Sequence, residues 1–591
     1  MKLDRIIGTV KGYNHEGMGV IALKDQICFV PGVLAGEEVK VRLTGKKKGK
    51  VVWGEALEIR NPSQQRQVPP CPHYLRCGGC QLQHAAYPHQ LEIKQSIVER
   101  AFGPLRRQDE NIMAKLWPIL PAPQPAEYRN KGIFAVGRAG NGSEAVQIGF
   151  YGRQSREIAG HGCPVLFSQP VNGLLYALAF WLEQNKIAVG QGLHHVMIRQ
   201  SHTTGKIILV LIGEKEPDWL PEFLATFVPK DPVNLPPLAP KPDHLLAGIG
   251  WLSAPDKAGP VISGKPKTLW GSLITIEELQ PQPLQDGITE ALASAGSDAN
   301  NGAGAKGSAT DATNSVAETA DSAASSAPLR FAISPEAFFQ VNTAQANTLY
   351  DVAAAACGLT GKEILWDLYC GSGTISLYVA RQAKAVLGIE ISEASIKDAW
   401  INARINSVHS GAEGKGGGAG TGAISNAGAG TSGDSIDGNN NGRADSQTFA
   451  DRLCFLAGAA EELIPRLIKE HVFLADQLKQ QAPLYTSPKG EVFPPSEDIV
   501  ELLAGKTPDV VLLDPPSKGA ETAVLETILA AEPQRIVYVS CDPATLVRDV
   551  QVLIGSGKYE VEMIQPVDMF PQTGHVEAII LMTYCGSNKK K

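Results

Sequence analysis

The sequence predicts an α/β protein: a doubly wound sheet of mainly parallel strands in the carboxyl-terminal half, preceded by a small β-barrel and a mixed α+β region. Three observations carry this. From Phe331 onward, apolar strand-like runs alternate with helical ones (EILWDLYCGSGT then ISLYVARQAK, AVLGIE then SEASIKDAWINARINS, RIVYVSCDP then ATLVRDVQVLIGS), the rhythm of successive β–α units. Residues 1–60 are short β-rich runs broken by glycines, the spacing of a small barrel. The chain has 591 residues, more than one hydrophobic core organises, so several domains are required.

In chain order, the barrel is expected over residues 1–61. Its run GKKKGK places Lys46, Lys47, Lys48 and Lys50 in a loop that suits contact with phosphates, and equally a solvated surface. A proline-rich α+β region follows over 62–283 and holds Cys71, Cys77, Cys80 and Cys163. Residues 284–328 are rich in Ala, Gly, Ser and Asp, and a stretch from about 407 to 447 is rich in Gly, Asn and Ser. Neither can bury enough apolar surface to offset the entropy of ordering, so both read as flexible inserts. The doubly wound domain is expected over 329–591, with the second insert inside it.

Composition narrows the partners. The net charge is −7, so contact with nucleic acid has to come from local basic patches. No run approaches the ~20 apolar residues of a membrane span, and the first residues lack the apolar core of a secretion signal. A soluble, cytoplasmic protein without membrane partners is expected. Ten cysteines in such a chain are not a disulfide framework.

The chemistry concentrates at strand ends. Asp367, Glu390, Asp514 and Cys541 each close an apolar run at its carboxyl end, the edge where open parallel sheets bind ligands. DLYCGSGT (Asp367–Thr374) is a glycine turn before a helix, which lets a ligand approach the backbone; Ser376 stands where a full dinucleotide fingerprint has its third small residue. Glu390 is placed to accept hydrogen bonds from ribose hydroxyls, so NAD and S-adenosylmethionine both fit this far. VVLLDPPSKG then resembles the Asp/Asn-Pro-Pro turn of nucleic-acid methyltransferases. No aromatic residue follows the prolines to stack on a base, which argues against methylation of an exocyclic amine. Beyond Cys541, Asp542 suits a helix cap and Pro543 the first helical position, so the cysteine is expected just outside a helix amino terminus, where the dipole favours a thiolate. In VDMFPQTGHVEAIILMTY the last part reads as a strand with His575 and Glu577 on one face; Glu577 and Asp568 are the candidate bases.

Together, FFQVNTAQANTLY, WDLYCGSGTISL, LGIEIS, LLDPPSKG, VYVSCDPATLVRD and DMFPQTGHVE make the half from Phe331 to Tyr584 similar to the RNA uracil-C5 methyltransferase family. The resemblance implies a Rossmann-like methyltransferase domain with Cys541 as nucleophile and Glu577 as the base that removes the carbon 5 proton. It implies S-adenosylmethionine contacts from Gln340, Tyr369, Thr374, Glu390 and Asp514, and from the backbone near Ala459. Uracil carbon 5 is a poor nucleophile; thiolate addition at carbon 6 makes it enolate-like, and a base must later take its proton so that the thiolate can leave. Two departures stand out. Ser517 takes the place of a usual Arg, with Lys518 beside it, and Asp542 takes the place of a common Asn, adding a negative charge beside the thiol.

The resemblance extends to the amino-terminal half. Residues 1–61 look like a TRAM domain, an RNA-binding barrel, and the spacing C-x5-CGGC with the remote Cys163 follows the family's iron–sulfur pattern. Four thiolates can hold zinc or a [4Fe-4S] cubane; a triad plus one remote Cys-Pro, rather than paired knuckles, favours the cubane, in a structural or RNA-positioning role. Family members with both parts mostly act on large-subunit ribosomal RNA, so a monomeric enzyme making 5-methyluridine in 23S rRNA is expected. The T-loop of transfer RNA is the alternative target, and a non-catalytic RNA-binding assembly factor the alternative of another kind.

Overall fold

A computed structural model of the protein describes residues 5–138, 145–153, 155–187, 192–228, 245–255, 264–282, 327–409, 449–485 and 494–586. The strands β1 (Arg5–Tyr13), β2 (Gly19–Ala22), β3 (Ile27–Val30), β4 (Glu38–Lys48) and β5 (Val51–Ile59) close into a barrel in the order β1-β2-β3-β5-β4. Alternate residues point inward, and Val10, Ile21, Cys28, Val30, Val39, Val41 and Val52 fill the interior. The lysine run is mostly strand: Lys46, Lys47 and Lys48 end β4, and only Gly49 and Lys50 form the turn into β5. The side chains of Lys48 and Lys50 are exposed; those of Lys46 and Lys47 lie outside the described residues.

The central region is built on six strands: β6 (Lys131–Arg138), β7 (Val146–Gly149), β8 (Leu193–Gln200), β9 (Ile207–Gly213), β10 (Leu246–Ser253) and β11 (Lys267–Gly271), in the order β11-β10-β9-β8-β6-β7. The helices Gln169–Gln184 and Leu220–Phe227 share a core with this sheet around Phe134, Phe167, Leu178, Trp181 and Phe223. Next, β12 (Thr275–Leu279) pairs antiparallel with β13 (Leu329–Ile333). The insert expected between them, 284–328, lies outside the described residues except for its last two, and the second insert lies outside them from residue 410 onward.

The carboxyl-terminal sheet has seven strands: β14 (Ile364–Leu368), β15 (Ala385–Glu390), β16 (Leu453–Ala457), β17 (Val510–Leu513), β18 (Arg535–Ser540), β19 (Tyr559–Val567) and β20 (Glu577–Tyr584), in the order β16-β15-β14-β17-β18-β20-β19. The first five in that order run parallel, and β20 is antiparallel to both of its neighbours. The near-continuous apolar runs of β14, β17 and β18 reflect burial on both faces. Strand order reverses at β14, with β15 and β16 on one side and β17 and β18 on the other, the switch point at which doubly wound sheets bind ligands.

One part of the central stretch belongs physically to this second core. The helix Tyr87–Phe102 buries Ile93, Ile97, Val98 and Phe102 along one face at helical spacing. Val98, Phe102, Leu105 and Ile112 sit in the core of the seven-stranded sheet, and Leu116 and Leu120 form parallel bridges to Ile564 and Val567 of β19.

The same helix pins the segment Asp568–Gly574, which leads from β19 to β20. Lys94 and Asp568 form an ion pair with both side chains fully buried, and Lys94 Nζ also donates to the Phe570 carbonyl at 2.9 Å. Tyr87 donates its hydroxyl to the second Asp568 oxygen at 2.8 Å. Removing one partner of such a pair strands a charge in the interior, whereas replacing both with apolar groups is far better tolerated. Lys94→Met is therefore expected to lower the unfolding free energy by about 3–5 kcal/mol in urea titrations, and Lys94→Met/Asp568→Leu to recover a large part of that loss.

Candidate active site

Parallel register brings four chemical groups to one edge. Asp367 is the penultimate residue of β14, Glu390 ends β15, Asp514 follows β17 and Cys541 follows β18. The fifth group arrives from the opposite direction. Because β20 is antiparallel to β18, with Ser540 paired to Ala578, the first residue of β20, Glu577, lies across from Cys541. His575 precedes the strand and is exposed, so it does not share a strand face with Glu577 as the sequence suggested. Asp568 also lies at this edge, just past β19, but Lys94 and Tyr87 occupy its two oxygens, which removes it as a free base.

The glycine turn is shaped by backbone conformation. Tyr369, Gly371 and Gly373 have φ of 65°, 55° and 73°, and the first is a strained value for a side-chain-bearing residue. At Gly373, which precedes the helix Thr374–Ala380, a Cβ would meet Phe455, Ala399 and Leu377 at 2.9–3.1 Å; at Gly371 it would meet nothing within 4 Å, so that backbone faces open space. Glu390 braces the turn, accepting from the amides of Gly371 at 3.3 Å and Ser392 at 2.9 Å. Ser376 is buried and donates to one oxygen of Asp367, which is its role in place of a third glycine; the other Asp367 oxygen is buried without a partner among the described residues. The hydroxyls of Thr374 and Ser372 lie 3.3 Å apart, and the Tyr369 hydroxyl accepts from the Glu521 amide at 3.4 Å. Gln340 is buried just ahead of the helix Thr343–Cys357. Ala459 caps the helix Ala460–Lys469 beside Glu390, whose carbonyl accepts from Gly458. An unpartnered acid, a carboxylate at the next strand end and an open glycine backbone fit the amino group, ribose and carboxylate ends of S-adenosylmethionine.

The Asp-Pro-Pro turn is fixed by residues that the motif reading did not single out. From the helix Pro543–Gly555, Thr545 donates to the Ser517 carbonyl at 3.1 Å and Arg548 to the Lys518 carbonyl at 3.0 Å. Buried Asp549 accepts from the Ala520 amide at 2.9 Å and the Tyr538 hydroxyl at 2.6 Å. The available signal was a lone acid on an apolar helix stretch, ATLVRDVQVL. Lys518, beside the departure at Ser517, is paired with Glu521 at 2.6 Å.

The electrostatics reverse one expectation. Asp542 does cap the helix, accepting from the amides of Ala544 at 2.8 Å and Thr545 at 3.3 Å. The Cys541 thiol is nevertheless pushed up to about 12, first by burial and then by Glu577, Asp514 and Asp542. Burial first, and then the three acids, outweigh one helix dipole, whose influence is confined to its first turn. Burial, then Asp514, raises Glu577 well above the ordinary carboxylate range, and one of its oxygens is buried without a partner among the described residues. Burial raises Asp514 and Asp367 to about 7.

The four amino-terminal cysteines come from two stretches, residues 71–80 and the segment at Cys163, and act on one another electrostatically. Cys77 forms an antiparallel bridge with Gly152, and Gly149 a parallel bridge with Gly162 beside Cys163. All four are free of disulfides, and Cys71 and Cys80 pack on the core that contains Cys163. Burial and their mutual repulsion push Cys80 and Cys163 up to about 12. Among the described residues, no group of three or more His, Cys, Asp or Glu side chains is arranged to hold a single metal ion. No described helix is long and apolar enough to cross a membrane.

Residues 314–410 and 501–584 match the model of the tRNA (Uracil-5-)-methyltransferase family. An uncharacterized RNA methyltransferase of Clostridium tetani is 29% identical over 587 residues, covering 98% of this chain and 96% of the relative. A Staphylococcus aureus protein, also described as an uncharacterized RNA methyltransferase, is 29% identical over 593 residues, 98% of each chain. The crystal structure of Pyrococcus abyssi tRNA (uracil-54, C5)-methyltransferase in complex with S-adenosyl-L-homocysteine shares the fold, with a TM-score of 0.57 at 20% identity, over 98% of this chain and 100% of that one. With acid, glycine turn, Asp-Pro-Pro and cysteine on successive strand ends, these matches make the chain similar to RNA uracil-C5 methyltransferases.

Proposed function

We propose that this protein is an RNA uracil-C5 methyltransferase that modifies a specific uridine of 23S ribosomal RNA through a covalent bond between Cys541 and carbon 6 of the base. The pairing that sets Glu577 across from Cys541 is the observation that carries the reading. S-adenosylmethionine, held by Gln340, Tyr369, Thr374, Glu390 and Asp514, supplies an electrophilic methyl group when bound. The target uridine must leave its stack to reach the edge. The Cys541 thiolate adds to carbon 6 and turns carbon 5 into a nucleophile; once carbon 5 carries the methyl group, Glu577 takes its proton and the thiolate departs, restoring the ring. A carboxylate whose affinity for protons is raised by burial is a stronger base for that step. Burial, and then the acids around it, hold the Cys541 thiol towards its protonated form.

The barrel, with Lys48 and Lys50 exposed at its β4–β5 turn, is the RNA-holding module in this reading. In this reading Cys71, Cys77, Cys80 and Cys163 would hold a [4Fe-4S] cluster: four thiols, none in a disulfide, are the donor set that such a cluster takes. A uridine in the transfer-RNA T-loop is the second reading, favoured by the name of the matched family and of the Pyrococcus abyssi enzyme. A non-catalytic assembly factor would have no need of Glu577 opposite Cys541.

The chemistry can be trapped. RNA carrying 5-fluorouridine has no removable proton at carbon 5, so wild-type protein with S-adenosylmethionine should form an adduct stable to denaturing gels, and Cys541→Ala none. Glu577→Gln should cut turnover by about 10²–10⁴-fold and accumulate the same adduct on ordinary uridine. Running 23S fragments beside transfer-RNA transcripts identifies the target, and failure of both to give an adduct would sink the mechanism. Asp542→Asn keeps the helix cap and removes a charge that holds the thiol proton on, so the pH midpoint of Cys541 alkylation by iodoacetamide should fall; an unchanged midpoint contradicts the electrostatic account. Anaerobically purified protein should contain iron and acid-labile sulfide with a broad visible absorption, all lost in Cys163→Ser; zinc in their place would overturn the cluster assignment.

A further inference from the structure

The stretch Ser334–Gln340 joins β13 to the helix Thr343–Cys357 and has no regular structure of its own. Four of its carbonyls are nevertheless held by side chains from elsewhere. Lys131 Nζ donates to the Pro335 carbonyl at 2.7 Å, Arg199 Nη2 to Ala337 at 2.6 Å, and Asn130 Nδ2 to Gln340 at 2.8 Å. The fourth, Phe338, accepts from the Ser372 hydroxyl of the glycine turn at 3.3 Å. The Asn130 amide adds a bond to the Val341 carbonyl at 2.8 Å. Three of the four side chains thus come from one place in the central sheet: Lys131 and Arg199 are paired residues on β6 and β8, and Asn130 precedes Lys131.

Arg199 is only 2% exposed, and its Nε has no hydrogen-bond partner among the described residues. Its charge is balanced by Glu277 of β12, Asp398 of the helix that follows Glu390, and Glu336 of the held stretch itself. Burying a guanidinium to hold one carbonyl is a costly way to achieve packing that an apolar side chain would supply. It makes sense where the position of that carbonyl matters. Here the fixed backbone carries Gln340 at one end and, in its middle, Phe338, whose ring stays 65% exposed although its carbonyl is tied to the glycine turn.

We infer that Asn130, Lys131 and Arg199 are positioning residues for the methyl donor: through them the central sheet holds Ser334–Gln340 in its cofactor-binding form and so sets cofactor affinity. The inference rests on the reading that Gln340 and the glycine turn bind S-adenosylmethionine. Preorganisation of this kind acts on binding, because a loop that must be ordered by its ligand weakens the apparent affinity.

Isothermal titration of the full chain with S-adenosylmethionine and S-adenosylhomocysteine, without RNA, tests it. Lys131→Met and Arg199→Met should each raise Kd about tenfold, a 1.4 kcal/mol change, and Asn130→Ala should act in the same direction. At saturating cofactor, kcat and the KM for RNA should stay within about twofold of wild type, because neither residue reaches the reacting atoms. Arg199→Lys, which keeps a donor for the Ala337 carbonyl, should recover part of the affinity. Unchanged Kd values in both Lys131→Met and Arg199→Met overturn the inference, as do losses confined to kcat or to melting temperature. Wild-type protein that binds neither compound would instead refute the underlying cofactor reading.

Discussion

Everything at the candidate site depends on one antiparallel strand, β20, in an otherwise parallel sheet. Parallel strands deliver their carboxyl ends to a single edge, which is why Asp367, Glu390, Asp514 and Cys541 gather there. A parallel β20 would bring Tyr584 to that edge and leave its first residue at the other end of the sheet. Reversed, β20 begins where β18 finishes, and Glu577 comes to Cys541. A shift of one residue in this register would turn Glu577 to the other face and undo the pairing of roles.

The pairing is guarded from outside the sheet. The segment Asp568–Gly574 is held by the helix Tyr87–Phe102 through Lys94 and Tyr87, by Gln81 and Leu82 on the Gln572 carbonyl at 3.0 and 2.9 Å, and by Tyr128 on the Pro571 carbonyl at 3.0 Å. Asn342, which caps the helix behind Gln340, donates to the Met569 carbonyl at 3.1 Å. The barrel closes in as well: a Cβ on Gly574 would lie 2.6 Å from the Glu16 backbone. Barrel, cysteine loop, central sheet and cofactor helix therefore all meet on seven residues that end three positions before Glu577. That convergence gives a physical reason for the surrounding elements to pack against a candidate site whose groups all lie on one sheet.

Charge explains the rest of the arrangement. Asp367, Asp514, Glu577 and Cys541 are pushed towards their protonated forms by burial and by each other. The edge is thus short of positive charge and carries orphaned acceptors on Asp367 and Glu577. A site in that condition favours a cationic ligand, and the sulfonium and ammonium groups of the methyl donor supply both positive charges.

The sequence by itself determined the alternation of strands and helices, the chemical groups at four strand ends, the helix cap at Asp542 and the barrel, because these follow from local periodicity and from residues adjacent in the chain. It misjudged the lysine turn, the placement of His575 and the state of the Cys541 thiol, each of which depends on where a strand ends or on charges brought in from other strands. The resemblance already chose Glu577 over Asp568 as the base, but only the fold reveals that Lys94, 474 residues earlier, pairs with the aspartate. Nor could the sequence show that Asn130, Lys131 and Arg199 grip backbone carbonyls, since any sequence can present a carbonyl and no motif marks one that is held. Tertiary structure decided those matters because burial and long-range pairing, unlike periodicity, are properties of the folded whole.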